Sequence, residues 1–281
     1  MRWLVVGYKG RLGQDLVKTL TAKGLDVSGV DRTEVDITNA EDTLKALAGY
    51  DIVVNCAAYT AVDAAEEAEE LAFQVNALGA ANLARATKIH GSRLVHISTD
   101  YVFSGEATVP YVESDVPCPT STYGRSKLAG EWAVAANTSD YIIVRTAWLY
   151  GAKGNCFPKT IVKLLKDRDS ITVVDDQFGQ PTWTIDLAEL IFNLVDAKVP
   201  SGIYHGTSVG QTNWFEFART IALSAGLDPE RVQPTTSAEF KRPAPRPAWS
   251  VLESAAVKLV NVPPIQPWEQ AWDKAAEDIL K

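Results

Sequence analysis

Apolar residues fill Trp3 to Val6 without interruption, the run stops at Gly7, and beyond it Leu12, Leu16, Val17 and Leu20 recur at helical spacing until Gly24. A short continuous apolar run suits a strand buried on both faces, and a 3.6-residue recurrence suits a helix with one buried stripe. The opening therefore predicts strand, glycine turn, helix. Val27 to Val30, Asp51 to Asn55, Arg93 to Ile97 and Tyr141 to Arg145 read as four further strands, with helical stretches between them, notably Glu66 to His90. Strands that alternate with helices pair in parallel, because each connection has to cross back over the sheet. The pattern thus predicts an α/β fold, a Rossmann-type doubly wound parallel sheet covered on both faces.

Past Tyr150 the alternation loosens. Helices are expected at Asn155 to Lys166, Thr184 to Val195 and Asn213 to Ala225, a strand near Ile171 to Val174, and a proline-rich loop from Arg242 to Pro247. These residues read as a smaller C-terminal lobe. The acidic run Glu66 to Glu70 reads as a solvated helix face.

Composition narrows the class. The 281 residues are 46% apolar and 22% charged, as in ordinary folded proteins and unlike disordered ones. Thirty-five acids against 27 bases give a net charge of −8, which opposes binding to nucleic acid or to anionic membranes. An anionic ligand must then meet a local cluster of Arg and Lys. Cys56, Cys118 and Cys156 form neither a disulfide framework nor a paired metal motif, so a reducing cytoplasm is the expected setting. The first apolar run is too short for a signal-peptide core, and no uncharged apolar stretch reaches the ~18 residues of a membrane span. His90, His96 and His205 lack the spacing of a metal site or a triad.

Gly7, Gly10 and Gly13 spell GxxGxxG at the junction of the first strand and helix, where a dinucleotide pyrophosphate can approach the backbone and meet the helix N-terminus. Asp31, at the end of the second strand, is placed for a ribose hydroxyl, as in NAD binding. The adjacent Arg32, or Lys9 and Arg11 in the turn, suits the extra phosphate of NADP. Both cofactors remain open on these residues. Asp36 and Ile37 are candidates to flank the adenine, and Ala57 and Ala58 leave room beside the third strand. On this reading residues 1–150 form an NAD(P)-binding Rossmann domain and residues 151–281 mainly a substrate-binding lobe, some of whose elements return to the Rossmann domain.

Tyr123 and Lys127 stand four apart in YGRSK, so on a helix both project from one face. An ammonium beside a phenol favours phenolate and lowers its pKa toward neutrality, which makes the tyrosine a usable proton donor and acceptor. Thr99, in STDYVF directly after the fourth strand, lies at the carboxyl edge where open α/β sheets bind ligands.

Together these residues resemble the extended short-chain dehydrogenase/reductases, and within them the family of dTDP-4-dehydrorhamnose reductases. The resemblance spans nearly the whole chain. It is carried by GxxGxxG, NCAAYTAVDAAE from Asn55, VNA from Val75, STDYVFSG from Ser98, YGRSKLAGE from Tyr123, RTAWLYG from Arg145, DQFGQPT from Asp176 and RPAWSVL from Arg246. It implies Thr99, Tyr123 and Lys127 as the catalytic set. Leu12 and Tyr59 join the cofactor contacts, and Val62, Tyr101, Trp148 and Asn155 lie near the sugar nucleotide, with Arg246 a candidate for diphosphate pairing. Sugar-nucleotide 4,6-dehydratases typically carry an acid directly after Thr-Asp, whereas this chain has Tyr101, which argues for carbonyl reduction over elimination.

The activity so implied is reduction of the C4 ketone of a dTDP-linked 6-deoxy-4-keto-hexose, with NADPH or NADH. Two alternatives stay open: the epimeric 6-deoxy-talose product, and a non-catalytic regulatory subunit resembling the methionine adenosyltransferase beta subunit. Some relatives are thought to dimerise through acidic residues around a divalent ion. A homodimer is therefore admitted, but the first helix carries the shorter Asp15, and no bridging metal is expected.

Overall fold

A computed structural model describes residues 1–281. The strands β1 (Arg2–Val6), β2 (Asp26–Val30), β3 (Ile52–Asn55), β4 (Arg93–Thr99) and β5 (Tyr141–Thr146) are joined by the strand Gly202–His205 in one six-stranded sheet. The spatial order is Gly202–His205, β5, β4, β3, β1, β2, and every pairing is parallel. The chain reverses its direction of travel across the sheet between β1 and β3, and this switch point opens the crevice in which such sheets hold ligands.

Alternate residues of β1 divide the core. Trp3 and Val5 pack with Leu16, Val54, Val144, Leu187 and Ile191, so helix α1 (Arg11–Ala22) and the helix Thr184–Asp196 cover one face. Leu4 and Val6 pack with Val53, Leu83, Leu94, Val134 and Ile143, so the helices Gly79–His90 and Thr122–Asn137 cover the other. A separate cluster, built on Tyr150, Phe217, Ile221, Trp268 and Trp272, holds the C-terminal lobe together.

The expected helix from Glu66 to His90 is broken in the structure. Glu69–Phe73 is α-helical, Gln74–Leu78 is a π-helical turn, and Gly79–His90 resumes the α-helix. The wider turn has an evident use. Asn76 is buried at its centre, accepts from the Tyr59 amide at 2.8 Å, and donates to the Tyr59 carbonyl at 3.1 Å and Ser126 Oγ at 2.9 Å. The acidic face also needs correction. Glu66 accepts from the Thr122 amide at 2.8 Å and the Thr122 hydroxyl at 2.9 Å, and so fixes the start of the Thr122–Asn137 helix instead of facing water alone. No helix is long and apolar enough to cross a membrane.

Candidate active site

The glycine turn is held against β3 by contact distance. Gly7 has φ +79°, its amide donates to the Val30 carbonyl at 2.8 Å, and a Cβ there would lie 2.7 Å from the Ala57 nitrogen. Only glycine satisfies both conditions. Gly13 is as constrained, since a Cβ on it would stand 2.4 Å from the Gly7 carbonyl oxygen. The N-cap of α1 is Gly10, which supplies no capping side chain, and the first turn carries no acid. The amides of Arg11, Leu12 and Gly13 precede the first intrahelical bond, from Gln14 to Gly10, and so have no intrahelical acceptor, the arrangement that suits an anion. The turn therefore fits a pyrophosphate.

Asp31 directly follows β2, with Oδ2 accepting from the Lys9 amide at 3.2 Å and Oδ1 from the Arg32 amide at 2.8 Å, which ties the end of the second strand to the turn. Lys9 itself pairs with Glu34 at 3.1 Å, whereas Arg32 is exposed with no acidic partner in salt-bridge range. Arg11 points elsewhere. Its guanidinium donates to the Leu149 carbonyl at 2.9 Å and to the Asn155 carbonyl, so the side chain braces the segment leading into the C-terminal lobe. Asp36 caps Thr38 at 2.8 Å, and Ile37 is buried in the core under the Asn82 amide. Ala57 donates to Asn55 Oδ1 at 3.0 Å, and Asn55 in turn meets His96 Nδ1 at 3.0 Å, so the loop of Ala57, Ala58 and Tyr59 is fixed at both ends by buried asparagines.

Thr99 closes β4 and is buried, its hydroxyl donating to Asp100 Oδ1 at 2.8 Å and accepting from the Tyr101 amide at 3.2 Å. The helix of Tyr123 starts at the Ser121 N-cap, whose hydroxyl accepts from the Gly124 amide at 3.1 Å. A Cβ on Gly124 would lie 2.2 Å from the Tyr101 carbonyl oxygen, so glycine lets the helix press against this turn. The rings of Tyr101 and Tyr123 meet edge to face at 5.7 Å. One turn on, Lys127 is 2% exposed and donates to the Ile97 carbonyl at 2.6 Å. A further turn on, Glu131 receives a bidentate pair from Arg145 of β5 at 2.7 and 2.9 Å and a hydrogen bond from Ser98 of β4. These bonds lock the helix to β4 and β5.

Electrostatics modify the expected roles. Burial pushes the Tyr123 phenol up to about 12, with the Thr99 hydroxyl pulling the other way, and Lys127 does not lower it. Tyr123 is therefore protonated near neutral pH, the donor form. Burial brings Lys127 down to about 8, opposed by Glu131 and Cys56, so it stays mainly cationic at pH 7.

Beside Tyr101 opens a cavity of about 300 Å³, lined on one side by Phe157, Ile161, Trp214 and Phe240 and at its rim by Arg242 and Arg246. Arg246 pairs with Asp63 at 2.9 Å, and Arg242 approaches the same carboxylate at 3.6 Å. Asp63 is adjacent to Val62 in the short helix Val62–Ala65, so the proline-rich strap is held onto the Rossmann side. Trp148 adopts φ +48° and stacks on Trp214 at 3.6 Å, reaching the cavity through that ring. Asn155 is exposed; its carbonyl accepts from Arg11 and its side chain from the hydroxyl of Thr160, which lines the cavity. Asp15 is buried against the Thr184 hydroxyl, and no cluster of three or more His, Cys, Asp or Glu residues is placed to hold a metal ion.

Asn55, Asn76, Asp63, Asp100, Glu131, Arg145, Trp214 and Arg242 were not among the residues singled out from sequence. Spacing could have found Glu131 alone, four residues beyond Lys127 on the same helix face.

Comparison with known proteins identifies the family. Residues 1–280 match the family model described as RmlD substrate binding domain. A dTDP-4-dehydrorhamnose reductase of Streptomyces griseus is 44% identical over 96% of this chain and 91% of its own. A probable dTDP-4,6-dihydroxy-2-methyloxan-3-one 4-ketoreductase of Streptomyces antibioticus is 43% identical over 100% of this chain and 96% of its own. The crystal structure of dTDP-4-dehydrorhamnose reductase from Bacillus anthracis in complex with NADP superposes with a TM-score of 0.94, at 38% identity and 98% coverage of both chains. Over its whole length, then, this chain belongs to the RmlD substrate-binding-domain family, that of the dTDP-4-dehydrorhamnose reductases.

Proposed function

We propose that the protein reduces the C4 ketone of dTDP-4-dehydro-L-rhamnose to dTDP-L-rhamnose with NADPH or NADH. The observation that carries this reading is the packing of the helix bearing Tyr123 and Lys127 against the end of β4 at Thr99, with Tyr101, which bonds Thr99 and meets the Tyr123 ring, lining a cavity that also holds two arginines. When bound, the nicotinamide supplies the hydride. Tyr123 gives its proton to the alkoxide that develops at C4, and Thr99 stabilises the same oxygen by a hydrogen bond. Lys127, tethered to the Ile97 carbonyl, keeps a positive charge at the site and would hold the nicotinamide ribose. The glycine turn holds the pyrophosphate on its free amides, Asp31 and Arg32 face the adenosine ribose, and Arg242 and Arg246 take the sugar-nucleotide diphosphate, in exchange for Asp63. Residues 1–150 thus carry mainly the cofactor and residues 151–281 mainly the sugar nucleotide.

The local cations at the rim answer the net charge of −8. Tyr101, where the dehydratases have an acid, leaves no carboxylate at that place to drive elimination. A related 4-keto sugar is the second reading, favoured by the Streptomyces antibioticus relative, whose name specifies a different dTDP-keto-sugar. Cofactor oxidation with dTDP-4-dehydro-L-rhamnose made in situ, followed by NMR of the product, tests both. Turnover to the L-rhamno product supports the first reading. Turnover to the talo epimer, or with another keto-sugar only, supports the second.

A further inference from the structure

One buried acid at this edge is absent from the scheme above. Asp100 is 2% exposed, its Oδ1 accepts from the Thr99 hydroxyl at 2.8 Å, and its Oδ2 has no protein partner. Thr146 Oγ1, Thr207 Oγ1 and Ser208 Oγ are likewise buried and unpartnered. Strand register brings these groups to one edge. Thr146 is the register partner of Thr99, and the strand Gly202–His205 runs beside β5 to Arg145 before the chain reaches Thr207 and Ser208. Ser250, whose hydroxyl donates to the Phe178 carbonyl at 3.3 Å, stands close enough to Asp100 to favour its carboxylate, and the residues after it, Val251 and Leu252, line a second cavity of about 220 Å³ together with Ser208, Gln180 and Glu253. Glu253 and Lys258, both lining this cavity, reach solvent with 41% and 57% of their side chains exposed. A polar cavity of this size, bordered by the orphan hydroxyl of Ser208, is a place for ordered water.

Each ketone reduction consumes a proton, and buried Tyr123 must recover one before the next cycle. We propose that Asp100 returns the proton to Tyr123 through the Thr99 hydroxyl, drawing it from water in the cavity lined by Ser208, Gln180 and Leu252. The inference rests on the reductase reading and adds to it the route of the proton. Protonated Asp100 gives its proton to Thr99 Oγ1 as Thr99 releases its own to the Tyr123 phenolate. Asp100 loses an O–H bond, Tyr123 gains one, at Thr99 Oγ1 one forms as another breaks, and no electrons are exchanged. The Asp100 carboxylate then takes a proton from cavity water by way of Ser250. Burial raises the Asp100 carboxyl to about 6, so both of its forms are accessible near neutrality. The titratable groups that face it are Tyr101 and Tyr123, with Arg246 and Asp63 acting on Tyr101 in turn.

The test is Asp100→Asn, which retains an acceptor for the Thr99 hydroxyl but carries no acid proton. In rapid mixing with NADPH and dTDP-4-dehydro-L-rhamnose, the first turnover should run at the wild-type rate, because Tyr123 starts protonated. Steady-state kcat should fall about ten-fold or more, with an enlarged solvent deuterium effect. Equal slowing of the first and later turnovers, or an unchanged steady state, overturns the relay. Ser250→Ala should show the same split in smaller degree and serves if Asp100→Asn does not fold; absence of the split there overturns the relay as well. A wild-type chain that oxidises no cofactor even in the first turnover would instead sink the reductase reading itself.

Discussion

Lys127→Met should make the protein more stable at neutral pH while abolishing turnover. Lys127 is 2% exposed, and its ammonium has one hydrogen bond, to the Ile97 carbonyl at 2.6 Å. Burial brings it from the usual 10.5 to about 8, and at about 1.4 kcal/mol per pH unit that difference costs the fold roughly 3 kcal/mol at pH 7. Methionine has similar length and no charge, but it leaves the Ile97 carbonyl without this donor, which takes back about 1–2 kcal/mol. The net gain is therefore about 1–2 kcal/mol, or roughly 2–6 °C in Tm for a chain of this size. The sign follows from proton binding. Because its pKa is lowered on folding, Lys127 holds fewer protons in the folded than in the unfolded chain between about 8 and 10.5, so wild-type stability rises with pH across that window. The advantage of the variant should be complete below pH 8 and lost by pH 10.5, where the missing hydrogen bond leaves it the less stable chain. Urea denaturation of both proteins at pH 7, 9 and 10.5 measures this directly. A stability difference that does not change across the window would refute the argument, whatever its sign at pH 7.

Tyr123→Phe should lower kcat by about 10²–10⁴ while the dissociation constant for NADPH, followed by fluorescence, stays within about two-fold. Arg246→Leu should weaken dTDP binding about ten-fold in calorimetry, and the loss should shrink as salt is raised. Glu131→Gln removes one partner of a pair whose side chains are 1% and 3% exposed, and should destabilise the fold by about 3–5 kcal/mol in denaturant titration. Gly7→Ala should reduce cofactor affinity and lower Tm, since the new methyl would stand 2.7 Å from the Ala57 nitrogen at a positive φ.

Periodicity made the sheet legible because a parallel strand buried on both faces has few residues to choose from. Ile171–Val174 has the bounds expected, and the five strands up to Thr146 lie within two residues of the reading. The strand Gly202–His205 escaped, since Gly-Ile-Tyr-His shows neither a continuous apolar run nor strict alternation. The closing helix Trp268–Leu280 escaped as well, its buried stripe being carried mainly by tryptophan and alanine amid six polar or charged residues, roughly the pattern of a solvated segment. The π-turn at Gln74–Leu78 had no local signal, because it is imposed by Asn76 reaching residues 17 and 50 positions away.

In the site, Thr99, Tyr123 and Lys127 could be named because their spacing is local to one strand end and one helix face. Asp63, Asp100 and Arg145 could not, since their importance lies in partners brought near only by the fold: Asp63 meets Arg246 across the whole chain, and Arg145 meets Glu131 between strand and helix. The sign of the Tyr123 shift was also beyond spacing. A lysine four residues away promises a lowered pKa, but whether its ammonium outweighs burial depends on where the ammonium is tethered, and here that is Ile97.

The central claim is most directly tested by adding dTDP-4-dehydro-L-rhamnose, made in situ, to the purified protein and following NADPH and NADH oxidation separately. One cofactor molecule should be oxidised per sugar, and the product should give the NMR spectrum of dTDP-L-rhamnose. Cofactor binding without oxidation would contradict it, and would bring forward a different keto-sugar or a regulatory role for the same site.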